Sequence, residues 1–318
     1  MNNVWYDVFL EELHKRHHNK AALTEALMDL LSIEREAAYR RLRKNVMFPV
    51  DEMVKIASTW KISLDEVIGI SSNEISFRTN LFNYIVPSNT DLDSMQRVVK
   101  WCDSLGKIPD LEYLEASNKM PRSLSSGFPY LRRLELLNWM YQHGTGEVLP
   151  FSQVDFPPQA AKLSTEYNQC MKQLAITSHI WDEMLFQQMI RGIRYLQSIN
   201  LISNDDKELI KSDLLKFLDY MSNVATKGYW LETGKKVNLY ISHINIETNY
   251  SYFYSETLKL CIVHAFVKNE IYTTNPVMVE SFKKWMQLKK RASVLISETD
   301  EKSRVDFFRK QYALVEEL

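Results

Sequence analysis

Cysteine is scarce in this chain of 318 residues, and the three that occur, Cys102, Cys170 and Cys261, lie far apart. An odd number of widely spaced cysteines provides neither a disulfide framework nor the paired spacing of a zinc site. Long apolar runs are also missing, since no stretch approaches the roughly 18–20 residues of a membrane-spanning helix. The first residues mix acids with apolar side chains, so no signal peptide is expected. We therefore expect a reducing, cytoplasmic location.

The chain also lacks an excess of charge of one sign. Its formal net charge is −1, and residues 1–70 contain ten Lys and Arg against eleven Asp and Glu. No global basic field attracts nucleic acid, so any affinity for DNA must come from a local patch. Apolar residues make up 45% of the chain and charged residues 25%, which is typical of a globular protein. The length favours two or three domains.

Motifs of common enzyme classes are absent from the sequence. It contains no HExxH metal-binding motif and no serine or cysteine nucleophile elbow. The glycine-containing segment 143–147 lacks the Lys-Ser/Thr that follows a phosphate-binding loop, and it is predicted to be an ordinary loop. We expect no cofactor, no metal site and no catalytic residues, and hence a protein that is not an enzyme.

Apolar spacing and capping residues predict five short helices in the first seventy residues. Ser32 and Ser63 are candidate caps, and Pro49 lies at the start of a helix whose first turn carries two acids. Gly69 is predicted to end the last helix. The five helices are predicted at residues 4–17, 20–30, 34–44, 50–60 and 64–68, followed by a polar linker at 71–74.

The rest of the chain is predicted to be mostly helical before a short region of strands. Helices are predicted at 76–85, 92–105, 130–143, 205–225, 277–290 and 301–315, with two more in 160–200 separated near Ser178. Segment 108–127 is ambiguous. Alternating and β-branched stretches predict strands at 237–246, 251–255, 258–267 and 292–297, the first three joined by short turns.

These elements predict a mainly α chain with an α+β character overall. We expect a five-helix helix-turn-helix domain over residues 1–72 and a mostly helical region over 73–230. A small α+β region with an antiparallel sheet is expected over 231–318, and it could form one domain with 73–230. The sequence shows no internal repeat and no low-complexity tract.

The third predicted helix has a broad polar face. At 100° per residue, Ala38 and Leu42 lie within 40° of each other and face the core, whereas Arg40 points nearly opposite. Five basic residues and one acid lie between positions 35 and 44, so the local field is positive. This helix is therefore the candidate for reading DNA, although an arginine-rich helix face is more often only solvated surface.

The side chains on this helix suit contacts in a major groove. Arginine presents a planar fork that matches guanine O6 and N7 or two phosphate oxygens, and Glu36 could accept a hydrogen bond from cytosine N4. Tyr39 suits a thymine methyl or a phosphate, and Ser32 and Lys44 lie at the helix ends, near backbone phosphates. The predicted DNA-binding residues are Ser32, Arg35, Glu36, Tyr39, Arg40, Arg43 and Lys44.

Residues 20–69 resemble the lambda-repressor-like, Cro/repressor type of helix-turn-helix. The resemblance rests on an apolar helix, a Leu-Ser-Ile turn, the helix EREAAYRRLRK, a following Phe-Pro-x-Asp-Glu and the ending ISLDEVIG at 62–69. Leu31 occupies a turn position at which many members have glycine. The resemblance implies a DNA-binding fold but no particular target gene. The C-terminal region, including 292–308, resembles that of uncharacterised bacterial regulators with this domain.

Two features of the C-terminal region are candidates for a second site. Aromatic residues could rim a ligand or partner surface, or could simply pack the sheet against its helices. The candidate surface comprises Trp230, Tyr240, Tyr252 and Tyr254. His243 and His264 are predicted on adjacent strands, where they could approach each other in a catalytic pocket.

The sequence as a whole predicts a DNA-binding transcriptional regulator with a C-terminal sensing or oligomerisation region. Its expected partners are double-stranded DNA, a second copy of the chain and a small-molecule or protein effector, with no membrane association. A homodimer would place two recognition helices in successive major grooves, about 34 Å apart. The alternatives are an enzyme targeted by its helix-turn-helix and a module whose N-terminal helices bind another protein.

Overall fold

The structure, a computed structural model, describes residues 4–17, 19–68, 75–80, 88–143, 148–265 and 269–318. The chain divides into two compact units, Met1–Ile75 and Ser76–Leu318. The linker predicted at 71–74, the helix end at Gly69 and the loop at 144–147 lie outside the described residues. None of the described helices combines the length and the apolar character needed to cross a bilayer.

All five helices predicted for the first unit are present, and two of them have the predicted bounds. The first unit contains α1 (Val4–Lys15), α2 (Lys20–Leu31), α3 (Arg35–Leu42), α4 (Val50–Trp60) and α5 (Leu64–Ile68). Pro49 precedes α4 as predicted, and Asp51 and Glu52 occupy its first turn. Asn19 caps α2 by accepting a hydrogen bond from the Ala22 amide at 2.9 Å.

The prediction that Ser32 caps the third helix is wrong. Ser32 instead ends α2 in the left-handed conformation, with φ 55°, and its amide donates to the Met28 carbonyl. Glu34 precedes α3, and its side chain makes no capping hydrogen bond. The turn between the two helices therefore requires a left-handed residue one position after Leu31, where glycine would be the most favourable choice.

The first unit has its own hydrophobic core. α1 contributes Tyr6, Phe9 and Leu13, and α2 contributes Leu23 and Leu27, all of which are buried. Helices shorter than about 12–15 residues are marginal in isolation, so burial of these side chains stabilises the helices that carry them. The other buried apolar residues are Leu10, Ala38, Phe48, Met53, Ile56, Ala57, Ile62 and Val67.

The second unit is built on a mixed sheet of eight strands among the described residues. The strands are β1 (Arg78–Asn80), β2 (Glu112–Ser117), β3 (Ile176–Asp182), β4 (Lys236–Ser242), β5 (Tyr250–Tyr254), β6 (Lys259–Ala265), β7 (Asn269–Thr273) and β8 (Val294–Leu295). Their order is β1-β7-β6-β5-β2-β3-β4-β8. The three strands β2, β3 and β4 run parallel, and the other pairs are antiparallel.

Helices connect and cover these strands. They are α6 (Asn89–Leu105), α7 (Arg122–Ser125), α8 (Pro129–His143), α9 (Pro158–Met171), α10 (Leu185–Ser198), α11 (Asn204–Lys227), α12 (Pro276–Arg291) and α13 (Glu301–Glu316). A 3-10 turn occupies Phe151–Gln153. The predicted helices that became α6, α8, α11, α12 and α13 are confirmed, and the chain has the α+β character that its sequence predicts.

The sheet separates two sets of core residues. Neighbouring residues of a strand point to opposite faces, so Tyr113 packs with α6 and α9 whereas Leu114 packs with α12. On the face of Tyr113, Trp181 contacts the core formed by α8, α10, α11 and α13. Tyr252 lies on the other face with α12. The helices therefore cover both faces of the central strands.

Three sequence predictions for this unit are wrong. The sheet is neither small, nor antiparallel throughout, nor confined to the C-terminal end, because β2 and β3 lie in its centre. The helix predicted at 76–85 is replaced at Arg78–Asn80 by β1, which pairs with β7. The helix break predicted near Ser178 is in fact β3, whose buried side chains on both faces give no simple alternation.

A buried polar group interrupts the apolar face of the central strands. Glu115 of β2 and His179 of β3 are paired in register, and the Nδ1 atom of His179 lies 3.4 Å from Glu115 Oε2. Both residues are about 1% exposed. The Ser123 hydroxyl donates to the same carboxylate oxygen at 3.0 Å. Burial is the largest influence and raises the pKa of Glu115, but His179, His264 and Tyr113 together lower it further, so the carboxyl titrates below its ordinary value.

Candidate nucleic-acid interface

α3 packs against the core of the first unit through a small buried residue and a half-buried leucine. Ala38 is completely buried, and Leu42, one turn later, is half-buried against the same core. A small side chain lets the backbone of α3 lie close to its neighbours, and α2 and α3 are in direct contact. The side of α3 opposite Ala38 is therefore left exposed, as the helical periodicity predicts.

Arg41 faces the interior of the unit and not the solvent. Its Nε and Nη2 atoms donate to the two carboxylate oxygens of Glu52 in α4, at 2.7 Å each. Its Nη1 atom donates to the Ala37 carbonyl at 3.1 Å. Both side chains are about 15% exposed. This paired geometry is the strongest form of the arginine–carboxylate contact, and it ties α3 to α4.

Tyr6 holds the end of α3 from the other side. Its hydroxyl donates to the Arg41 carbonyl at 3.2 Å and accepts a hydrogen bond from the Phe48 amide at 3.2 Å. The guanidinium of Arg41 also lies over the Phe48 ring, 5.8 Å from its centroid. The segment that leads from α3 to α4 is therefore fixed by contacts from α1, α3 and α4, and α3 presents its outer face on a rigid support.

The outer face of α3 carries most of the residues predicted to bind DNA. Tyr39 is half-buried and the others are exposed. The guanidinium of Arg43 lies over the Tyr39 ring, 5.4 Å from its centroid. Within the described part of the chain, the Arg40 guanidinium has neither a hydrogen bond nor an ion pair. The exposed predicted residues are Ser32, Arg35, Glu36, Arg40, Arg43 and Lys44.

Two of the exposed cations have acidic neighbours on the surface. Lys44 Nζ lies 2.5 Å from Asp7 Oδ1, and Arg35 Nη2 lies 3.7 Å from Glu25 Oε1. All four side chains are close to half exposed or more. Exposed ion pairs contribute little free energy, about 0–1 kcal/mol, so a phosphate group can replace the carboxylate at small cost. Arg40 and Arg43 have no carboxylate partner among the described residues that a phosphate would have to replace.

The aromatic residues predicted to form one surface in the second unit are distributed over two cores. Trp230 is 1% exposed and belongs to the core of α8, α10, α11 and α13. Tyr252 is fully buried next to α12, and its hydroxyl donates to Glu112 at 2.8 Å. Tyr240 and Tyr254 are half-buried on the α12 side, where Lys290 and Lys283 lie over their rings. The four residues do not share one surface.

The predicted approach of two histidines is wrong. His243 follows β4 and His264 lies in β6, and the strands β3, β2 and β5 separate them in the sheet. His243 instead pairs with Glu183 at 2.7 Å on the surface, whereas His264 lies 3.8 Å from Glu270. The sequence suggested adjacency because β4, β5 and β6 follow one another along the chain, but β5 and β6 pair on the far side of β2.

Comparisons with known proteins returned no match to this chain, whether against protein-family models, curated proteins or solved structures.

Sequence reasoning did not identify the Arg41–Glu52 pair. A signal was present, because Arg41 lies only 60° from Ala38 on a helical projection and therefore borders the buried side. Its partner is eleven residues away in another helix. Only the packing of α3 against α4 brings the two side chains together, and it separates Arg41, which anchors the helix, from Arg35, Arg40 and Arg43, which are exposed.

Proposed function

We propose that this chain is a cytoplasmic, sequence-specific DNA-binding regulator of transcription, in which α2 and α3 form a lambda-repressor-like helix-turn-helix. The observation that carries the proposal is the exposed pair of Arg40, on α3, and Arg43, directly after it, with the helix held in place by the Arg41–Glu52 contact. Base recognition in a major groove needs donors on a pre-positioned helix, because each mobile side chain loses entropy on binding.

The proposed mode of binding assigns different contacts to different side chains. Arg40, opposite the buried Ala38, enters the groove most deeply and donates to a guanine edge. Arg43 and Lys44, at the end of α3, reach the phosphates, while Ser32 and Arg35 do so at its start. Glu36 and Tyr39 complete the face by contacting cytosine N4 and a thymine methyl group, respectively.

Homodimerisation is part of the proposal, because one unit offers few cations. Residues 1–70 contain ten basic and eleven acidic side chains, so the unit has no excess of positive charge. A second copy doubles the number of phosphate contacts and places two α3 helices about 34 Å apart on one face of the duplex. Light scattering of the full chain, with and without a DNA fragment that it binds, is expected to give the mass of a dimer. A monomer under both conditions contradicts this part.

The alternative that α3 binds another protein is less well supported. Protein interfaces of this kind have an apolar centre that is depleted of charged residues. The outer face of α3 and the two residues that follow the helix instead carry four cations, one acid and a half-buried tyrosine. Such a surface suits the polar, cation-rich contacts of a protein–DNA complex.

Selection of bound fragments from a random DNA library by the purified full chain tests the proposed function. We expect the wild-type protein to enrich a common sequence and the variant Arg40→Ala/Arg43→Ala to enrich none. The matched control is Lys107→Ala/Arg309→Ala, which removes the same charge from exposed positions of the second unit. Failure of the wild-type protein to enrich any sequence, or equal enrichment by the Arg40→Ala/Arg43→Ala variant, rejects the proposal.

A further inference from the structure

The second unit contains a cavity of about 350 Å³ between the end of β2 and the helices α8 and α10. Its volume lies within the range of about 300–1,000 Å³ that is typical of small-molecule sites. In α/β sheets, ligands bind beyond the carboxyl ends of parallel strands, and the residues that follow β2 form one end of this cavity. Neither the α3 surface nor the aromatic residues predicted from the sequence contribute to it.

One end of the cavity is polar and carries basic side chains. Lys119 and Arg122 follow β2, and His264 comes from β6. Arg122 pairs with Glu270 at 2.8 Å, which neutralises part of its charge. Among the described lining residues Glu135 is the only carboxylate. Lys119 forms no ion pair with the described residues, so its charge favours an anionic group on the ligand.

Side-chain amides of the wall provide hydrogen-bonding groups for a ligand. Asn138 donates its amide hydrogen to the Leu134 carbonyl at 3.0 Å, which leaves its Oδ1 atom as an acceptor on the wall. Asn118 and Ser125 also line the cavity, although the Asn118 Oδ1 and Ser125 Oγ atoms themselves are buried in the protein and are not accessible from it. The Asn138 acceptor therefore favours a ligand that carries a hydrogen-bond donor.

The helices α8 and α10 also contribute apolar side chains to the cavity wall. Leu131 and Leu134 of α8 and Leu185 and Met189 of α10 line it. Gly192 continues the face of α10 that carries Leu185 and Met189, since these residues are spaced by three, four and seven positions. A Cβ atom added at Gly192 would meet no atom within 4 Å, so the absence of a side chain here leaves part of the cavity open.

We infer that this cavity is a binding site for a small carboxylic acid that has an apolar body and an amide N–H donor. The carboxylate of the ligand faces Lys119 and Arg122. Its N–H group donates a hydrogen bond to Asn138 Oδ1, and its apolar body lies against the leucines of α8 and α10. Binding by this site is independent of any DNA contact. Its role as the sensing site of a regulator rests on the proposed function.

N-Acetyl-L-leucine is the probe, because it combines these three groups in a molecule of suitable size. Isothermal titration of the full chain is expected to give a Kd below about 1 mM. A few contacts of this kind are enough for an affinity in that range. N-Acetyl-L-leucinamide lacks the carboxylate, 4-methylpentanoate lacks the N–H group, and N-acetylglycine lacks the apolar body. Each is expected to bind at least tenfold more weakly. The absence of binding by N-acetyl-L-leucine overturns the inference.

Two variants locate the binding within the cavity. Gly192→Leu fills the open space beside α10 and is expected to abolish binding, whereas the control Gly192→Ala is expected to bind as the wild type does. Lys119→Gln removes the charge of an exposed side chain. The hydrogen bonds between Lys119 and Asn249 use the backbone atoms of Lys119, so this substitution leaves them in place. It is expected to weaken N-acetyl-L-leucine severalfold while leaving N-acetyl-L-leucinamide unchanged.

The outcomes separate the two proposals. Unchanged binding to Gly192→Leu, with native circular dichroism, places the probe elsewhere and overturns the inference. If Gly192→Leu does not fold, the Lys119→Gln variant tests the inference. An equal loss of affinity for N-acetyl-L-leucine and for N-acetyl-L-leucinamide contradicts the assigned contact between Lys119 and the carboxylate. All titrations are made without DNA, so failure of DNA binding leaves their result intact. A ligand-dependent change in DNA affinity is measured afterwards, only on fragments that the protein selects.

Discussion

Arg41 and Glu52 join α3 to α4 through two parallel hydrogen bonds of 2.7 Å each. The pair lies beside Tyr6, whose hydroxyl contacts the Arg41 carbonyl and the Phe48 amide. Arg40 and Arg43, one and two residues away, point outward. The arrangement explains how an electrically balanced unit can present a local cationic face, because the arginine that holds the helix is neutralised internally.

Arg41→Ala is expected to destabilise the first unit by about 2–3 kcal/mol, because it removes both hydrogen bonds and leaves Glu52 mostly buried without its partner. Hydrogen exchange of α2, α3 and α4 amides in the full chain measures the change. The double variant Arg41→Ala/Glu52→Ala is expected to lose less free energy than the two single variants summed. Additive losses would show that the pair contributes no interaction energy.

Arg40→Ala is expected to weaken binding to a selected DNA sequence by about 1–3 kcal/mol and to relax the preference for one base pair. The physical reason is the loss of a guanidinium that donates to a guanine edge while its backbone support remains. Fluorescence anisotropy with the selected fragment and with single-base variants measures both effects. Equal affinity of wild type and variant for the selected fragment rejects Arg40 as a base-reading residue.

Arg43→Ala is expected to act mainly through the phosphates. Removing one phosphate contact lowers the slope of log K against log salt concentration by about one, and weakens all sequences to a similar extent. Anisotropy titrations at several salt concentrations give the slope. A loss confined to one sequence, with an unchanged slope, would assign Arg43 to base recognition and contradict the proposed division of roles.

Glu115 is expected to make the stability of the second unit dependent on pH. Its pKa in the folded chain is lower than the ordinary value of 4.5. The carboxylate therefore contributes stability that is complete above the unfolded-state pKa and is lost as the pH falls through the lower folded-state pKa. Compared with Glu115→Gln, the wild-type protein should be more stable near pH 6, and this difference should shrink towards pH 3.

Urea unfolding followed by fluorine NMR of 5-fluorotryptophan measures this dependence, because Trp230 lies next to His179, with ring centroids 5.9 Å apart. The signal of Trp230 reports the second unit separately from the tryptophans of the first. If the difference in the free energy of unfolding between wild type and Glu115→Gln stays constant from about pH 6 to 3, the lowered pKa of Glu115 is contradicted.

Lys61→Gly is expected to stabilise the first unit by about 0.5–1 kcal/mol. Lys61 ends α4 in the left-handed conformation, with φ 56°, which is unfavourable for any residue with a Cβ atom. Its side chain is exposed, so its removal breaks no packing. Hydrogen exchange of α4 amides gives the change in free energy. Lys61→Ala, which keeps the Cβ atom, is the control. An equal gain in stability in this variant would show that the gain does not come from removing the Cβ atom from the left-handed residue.

The helices of the first unit were predictable because their signals are local. Pro49 and the acids after it mark the beginning of α4, and the spacing of apolar residues marks α2. Such signals act over three or four residues. The role of Ser32 was nevertheless misassigned, since a polar residue between two helices can end the first or begin the second. Its left-handed φ decides this, and φ does not follow from residue type.

The sheet of the second unit was predictable only in part. β4, β5 and β6 have strand-like patterns, but β3 was predicted as helix because it is buried on both faces. β1 pairs with β7, almost two hundred residues later in the chain. The strand order, and with it the separation of His243 from His264, depends on these non-local ladders and not on the pattern of any single segment.

The sequence by itself determined the five N-terminal helices and the cationic outer face of α3, because capping, helix period and side-chain charge operate over a few neighbouring residues. The tertiary structure alone decided that Arg41 binds Glu52 and that strands between positions 78 and 295 join one sheet. It also brought the ends of β2 and β6 together with α8 and α10 around one cavity. Ion pairs, strand ladders and cavity walls join residues far apart in the chain, so they exist only once the chain has folded.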